Sequence, residues 1–230
     1  EAHAALAVAR QNRWDWPGAE VAYRRALELS PTHAETHQRY GTYLSFMGRC
    51  EEGLAHLKRA HELNPVSPSI SAQIALSLWC ARRYEEAIAQ CSLTLDAEPA
   101  CDEARVYLML SYIQLGMPEA AIAEYERMTP TSAETLDVMA MVAYAHALAG
   151  NKPEARTILA ELMHLSRSRY VPHFWLAVVH VGLGNYPEAL ACLENVFSRG
   201  YGKRDWVERD PDYDSLRDDL RFRAMLDKLS

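Results

Sequence analysis

A 34-residue period runs through most of the chain and decides what it can fold into. The segments AEVAYRRALELSP, EGLAHLKRAHELNP and EEAIAQCSLTLDAEP end at Pro31, Pro65 and Pro99, two successive spacings of 34. Small residues carry the register beyond those prolines, as Ala19, Gly53, Ala87, Ala121, Ala155 and Ala189, which makes six repeats without an insertion. Twelve residues earlier runs a second small-residue series, Ala7, Gly41, Ala75, Ala143 and Ala177, broken by Met109. A period of this length means stacked copies of one supersecondary element, each unable to bury its apolar face alone.

The apolar spacing within a repeat is helical. Ala19, Tyr23, Ala26 and Leu27 follow i, i+4, i+7, i+8, and Ala87, Ile88 and Cys91 do the same in the third repeat. Gly48, Gly116, Gly150 and Gly184 stand between the two helices, where a helix C-terminus favours a left-handed residue. Trp14 and Arg82 take that place in the first and third repeats. A proline or an acidic residue then opens the next helix, as in Met117-Pro118-Glu119, Lys152-Pro153-Glu154 and Tyr186-Pro187-Glu188. Each repeat reads as helix, tight turn, helix.

These residues resemble the tetratricopeptide repeat: 34 residues, small residues where paired helices cross, a turn glycine and a proline closing the second helix. The resemblance implies an all-α fold, an α-solenoid (right-handed superhelix) of six helix-turn-helix repeats over residues 1–200. Residues 201–230 would add a C-terminal capping helix within the same structural domain. The last three repeats lack the closing proline and carry Leu162 and Val196 where Ala26 and Ala60 stand earlier, so looser or longer second helices are expected there. In the tail, Trp206-Val207, Asp210-Pro211-Asp212-Tyr213 and Leu216-Arg217 precede a helical stripe of Phe222, Met225, Leu226 and Leu229, read as the cover of the sixth repeat. Together with Trp14-Asp15-Trp16-Pro17-Gly18-Ala19-Glu20, the tail is similar to the repeat regions of multidomain bacterial signalling and transcription regulators. In those proteins it tends to read as two Asp-Pro-aromatic steps around Leu-Arg; here Leu220 replaces the second proline.

Composition narrows the function. Of 230 residues, 49% are hydrophobic and 24% charged, which excludes global disorder. Lys+Arg of 24 against Asp+Glu of 31 gives a net charge of -7, the wrong sign for a surface that neutralises phosphates, so no direct nucleic-acid partner is expected. Five cysteines (Cys50, Cys80, Cys91, Cys101, Cys192) form no CxxC, which suggests neither a disulfide framework nor a cysteine zinc site and fits a cytoplasmic setting. No apolar run approaches the ~18 residues of a membrane span. The start at Glu1, with neither an initiator Met nor a signal peptide, reads as a piece of a longer chain.

Catalytic and metal signatures are weak. His33 and His37 lie four apart, but Ala34 follows the first and Glu35 comes one later, so the HExxH order fails and both read as surface histidines. His146 and His180 hold equivalent places in adjacent repeats and read as partly buried packing residues. Gly182-Leu183-Gly184 lacks a third glycine and a preceding strand and reads as a helix end. Gly200-Tyr201-Gly202-Lys203-Arg204 is a short basic loop, read as a linker over an anion site because Asp205 and Glu208 follow. Cys80 has no basic neighbour or paired histidine to activate it. The reading is no enzyme, no cofactor and no metal.

Function is then expected on the concave face, which the resemblance assigns to the first helix of each repeat. Projection places Gln38, Arg39, Thr42, Gln73, Leu76, Trp79, Val106, Tyr107, Leu110, Ile113, Gln114, Met141, Tyr144, Phe174, Trp175 and Val178 toward a peptide-binding groove. Aromatic anchors with a few polar groups suit a protein or peptide segment; the same stripe would equally serve as core. The Lys and Asn constellation by which some relatives clamp a C-terminal carboxylate is missing. Glu35, Glu103 and Asp137 at the groove edge favour a basic or apolar ligand over an acidic one. The ligand would include an N-terminal effector domain of the same chain. The alternatives are a small-molecule or metal-sensing domain controlling such an effector, and self-association through an open solenoid end.

Overall fold

The computed structural model describes residues 2–13, 15–198 and 204–228, and among them it holds helices and no strand. The helices are α1 (Ala2–Asn12), α2 (Trp16–Leu29), α3 (Ala34–Phe46), α4 (Cys50–Leu63), α5 (Pro68–Cys80), α6 (Tyr84–Ala97), α7 (Asp102–Gln114), α8 (Pro118–Tyr125), α9 (Pro130–Ala133), α10 (Leu136–Leu148), α11 (Lys152–Leu165), α12 (His173–Leu183), α13 (Tyr186–Ser198), α14 (Arg204–Arg209) and α15 (Leu220–Asp227). A 3-10 turn, Pro211–Leu216, separates the last two. The first helices of the six repeats are α1, α3, α5, α7, α10 and α12, and their partners are α2, α4, α6, α8, α11 and α13. The chain divides into two compact units, Glu1–Glu98 and Pro99–Ser230, each holding three pairs. Within the first, α2 packs on α3, α4 on α5, and α3 on α5; within the second, α8 packs on α10, α11 on α12, and first helices α7 and α12 both touch α10.

The turn inside each pair follows the sequence pattern. Gly48, Gly116, Gly150 and Gly184 have φ of 75°, 69°, 82° and 77°, and Arg82 (φ 59°) is the one non-glycine residue with positive φ among those described. Four of these turns are closed by an amide donating five residues back: Arg49 to Leu44, Arg83 to Leu78, Met117 to Tyr112 and Asn185 to His180, all at 2.9 Å. Arg82 adopts the glycine conformation because this closure demands it, at a steric cost that an exposed side chain does not remove. Trp14, in the equivalent place of the first repeat, lies outside the described residues.

Small residues set how closely the paired helices approach. Ala7, Ala19, Ala75, Ala87, Ala121, Ala143, Ala155, Ala177 and Ala189 are all fully buried, and Met109 is buried equally in the one pair that breaks the series. In the second repeat both crossing residues are glycines for a steric reason. A Cβ on Gly53 would lie 2.7 Å from the Gly41 carbonyl oxygen, and one on Gly41 would lie 2.8 Å from that of Gly53.

A second register joins the helices of the middle pairs through polar side chains nineteen residues apart. His37 meets His56 at 2.9 Å, Gln90 donates to Ser71 at 2.8 Å, and Arg105 donates to Glu124 at 2.8 Å, at equivalent positions in successive repeats. His37 and Arg105 each also donate to the carbonyl of the preceding closing proline, Pro31 at 3.0 Å and Pro99 at 2.8 Å. In the fifth repeat the same positions are Met139 and Ile158, packed in an apolar cluster.

The expectation of looser or longer second helices late in the chain needs correction. Helix α11 has the same 14 residues as α2, α4 and α6, whereas α8 is shorter, at eight. The chain leaves α8 because Pro130 opens a new turn, and Thr129 before it is extended (φ -65°, ψ 145°) and held by Asp102 Oδ2 through its amide and hydroxyl. Replacing Gly53 by alanine places a methyl group against backbone, so Gly53→Ala is expected to lower stability by about 1–3 kcal/mol, measured by urea denaturation. A neutral or stabilising result would show that the crossing can open.

Candidate functional site: the inner faces of the first helices

In the first unit, the predicted groove residues of α3 and α5 form a polar ladder. Gln38 donates to Ser69 at 3.2 Å, and Thr42 donates to Gln73 at 2.6 Å. Arg39 is exposed and pairs with Glu35 at 2.6 Å, so the acidic edge expected to attract a basic ligand is already neutralised here. Leu76 and Trp79 are buried, at 6% and 9% exposure, and the Trp79 indole nitrogen has no hydrogen-bond partner among the described residues.

In the second unit several of the predicted groove residues lie against the chain's own tail. The 3-10 turn lies against α12, and α15 packs on α13. Gln114 of α7 donates from Nε2 to Asp212 Oδ1 at 2.5 Å, and the Tyr213 hydroxyl donates to the Phe174 carbonyl at 3.1 Å. Tyr213 and Leu216 are fully buried in a cluster with Met109, Ile113, Met141, Tyr144 and Val178, against which Val106 and Leu110 pack partly buried. Gln114, Tyr144, Met141, Val178 and Leu110 are thus brought together, under the turn. Tyr107 is half-buried, with its hydroxyl donating to Glu103 at 3.3 Å. Trp175 packs beside Phe174, ring centroids 4.4 Å apart, and against the α10–α11 cluster. The tail therefore does more than cover the sixth repeat. The turn packed here brings one acid, Asp212, beside Tyr213 and Leu216.

Both Asp-x-x-aromatic steps of the tail build the same local structure. Asp210 accepts from the Asp212 amide at 3.0 Å, and Asp219 accepts from the Arg221 and Phe222 amides at 2.7 and 3.3 Å. Leu220 sits at the first helical position after Asp219, where proline would fit, and is 78% exposed. Arg217 holds the first step together, donating to the Glu208 and Asp210 carbonyls and to Asp214 at 2.6 Å. Burial, with Asp210 and Asp214 alongside, holds the Asp212 carboxyl well above the usual carboxylate range. The same environment raises the Tyr144 and Tyr213 hydroxyls.

The comparisons with known proteins agree with this architecture. A model of the bacterial transcriptional activator domain matches residues 69–146, and a tetratricopeptide-repeat model matches residues 170–195. Among solved structures, a tetratricopeptide-repeat protein from Parabacteroides merdae is 18% identical over 97% of this chain and 90% of its own, with a TM-score of 0.62. A thermophilic tetratricopeptide-repeat protein of Thermus thermophilus is 18% identical over 86% of this chain and 98% of its own (TM-score 0.61). PilF of Pseudomonas aeruginosa is 17% identical over 90% and 94% (TM-score 0.59). By sequence alone the chain matches no curated protein. The fold is that of tetratricopeptide repeats, in a chain similar over its middle third to a transcriptional activator domain.

The remaining sequence candidates separate cleanly. Among the described residues no three metal-ligating side chains come together, and no helix is long and apolar enough to cross a membrane. The Gly200-Tyr201-Gly202-Lys203-Arg204 candidate lies outside the described residues apart from the Arg204 backbone. Gly184 ends α12 as expected, and Gly182 leaves room for Tyr144, whose Cδ2 would be 2.5 Å from an added Cβ. The five cysteines are thiols rather than disulfides, and burial pushes the Cys192 thiol up to about 11. His146 and His180 are partly buried as expected.

The reading of His33 and His37 as surface residues is corrected. His33 caps α3, its Nδ1 accepting from the Thr36 amide at 3.2 Å, while His37 is buried. The partner of His37 is His56 of α4, a pairing that sequence adjacency conceals. The Pro31 carbonyl can only accept, so His37 carries its proton on Nε2 and its Nδ1 accepts from His56. Burial, then the neighbouring His37, lowers the His56 pKa, and burial lowers that of His180. A lowered histidine pKa means that the unfolded chain binds protons the folded chain refuses. Stability from these groups is complete above about pH 6.5 and is lost as pH falls toward the folded values. The thermal midpoint should therefore drop between pH 7.5 and 5.5, and His56→Gln should drop less. Equal losses would remove the histidine pair as a cause.

Proposed function

We propose that this chain is a non-catalytic scaffold that binds a protein segment along the inner faces of its first helices. In this reading it is the regulatory part of a larger bacterial regulator and works in the cytoplasm, with an effector domain of the same polypeptide as one candidate ligand. The observation that carries it is the makeup of those faces. Each sets apolar side chains beside amide and hydroxyl groups able to serve a backbone: in the first unit Gln38, Thr42 and Gln73, bonded to Ser69 and to one another, lie beside Leu76 and Trp79. That is how extended or turn segments are recognised, with area supplied by the anchors and direction by the amides. The match to the transcriptional activator domain supports the regulatory setting, and the net charge of -7 favours a protein over a nucleic-acid ligand.

Peptides selected from a displayed library against the full chain provide the test. Those that bind should lose affinity by about tenfold, some 1.4 kcal/mol, on Gln38→Ala or Gln73→Ala, with melting points unchanged. Selected peptides that bind both variants as tightly as the parent would contradict the assignment to the first unit.

A further inference from the structure

The tail turn shares features with a bound segment, although Tyr213 and Leu216 belong to the hydrophobic core cluster of the second unit. It carries its own closure: the Asp210 cap and the three-way grip of Arg217 are bonds within the tail. Its contacts with the helices follow the grammar of peptide recognition. Tyr213 and Leu216 fill apolar places, a side-chain amide meets Asp212, and the Tyr213 hydroxyl finds a backbone carbonyl. It is also seated at a cost. Asp212 is 6% exposed, with Asp210 and Asp214 close enough to oppose its ionisation. A buried carboxyl among like charges weakens a contact that is otherwise well matched, whereas an asparagine would offer Gln114 the same oxygen without the charge.

We propose that the inner face of the second unit is a binding site for a turn of the form Asp/Asn-Tyr-x-x-Leu, and that Asp212-Tyr213-x-x-Leu216 occupies it as a displaceable ligand in cis. The partner it fits is a protein segment presenting the same turn, an asparagine at its first position being preferred. Because the tail is tethered, its effective concentration is set by the connecting chain, on the order of millimolar for a short linker. A free competitor of equal affinity binds the intact chain poorly. This proposal rests on the reading of inner faces as binding surfaces, and it is tested on the second unit alone.

The experiment uses the full chain with a protease site inserted after Gly200, cleaved after folding. A fluorescent peptide of residues 208–219 is then added, and its anisotropy and co-elution with the nicked protein are measured. The expected result is exchange of the labelled peptide into the nicked protein and little binding to the uncut chain. The peptide carrying Asp212→Asn should bind about tenfold more tightly, and that carrying Tyr213→Ala should fail. Retention of the tail without exchange, or loss of helicity on cutting, would show that the turn is core and overturn the proposal. Equal binding to cut and uncut chains would overturn it too, by placing the peptide elsewhere. Failure of the library test on the first unit would leave this exchange unaffected, so the two readings can fail separately.

Discussion

The close crossing of two helices at a pair of small residues is the constraint on which everything else in this chain depends. Where Gly41 faces Gly53, carbonyl oxygens occupy the space that side chains would need. Elsewhere fully buried alanines hold the same places, except for Met109 in the fourth repeat. A crossing this tight lets a short turn close most pairs through one repeated backbone bond, and it sets the second helix where it can pack on the next first helix. Polar bridges nineteen residues apart then fix the pairing in the second, third and fourth repeats. The Arg105–Glu124 bridge, with side chains 13% and 9% exposed, is of the kind that contributes little net energy while intact but is costly to break on one side. Its value is register.

Stacking pairs in this way brings the first helices side by side within each unit, and their inner faces become the surfaces with combined apolar and hydrogen-bonding character. The two units treat that surface differently. In the first, side chains bond to one another across α3 and α5. In the second, Gln114 and the Phe174 carbonyl bond to the tail turn, which also buries Tyr213 and Leu216.

The fold was almost fully legible in the sequence, because the 34-residue period is a direct image of the small-residue crossing and of the turn position, including the exception at Arg82. The positions that share a first-helix face could be read as a set, since they repeat. What occupies them could not. The Asp-Pro-Asp-Tyr step announces a capped turn, but no local pattern says that Asp212 will meet Gln114, 98 residues away. His56 is concealed for a similar reason: sequence adjacency sets His37 beside His33 on one helix face, whereas the pair with His56 forms across the crossing. The nineteen-residue offset, had it been read as a cross-helix distance, would have shown His37–His56, Ser71–Gln90 and Arg105–Glu124 together. The short α8 was signalled by Thr129-Pro130 but concealed by the unbroken period.

Amide hydrogen exchange on the intact chain tests most directly whether the tail turn is a ligand of the second unit. The amides of residues 208–219 should exchange through an opening of lower free energy than those of α7, α10 and α12, which should stay protected up to global unfolding. Exchange of the turn only together with those helices, at the same free energy and with the same denaturant dependence, would contradict the account and make the turn part of the core.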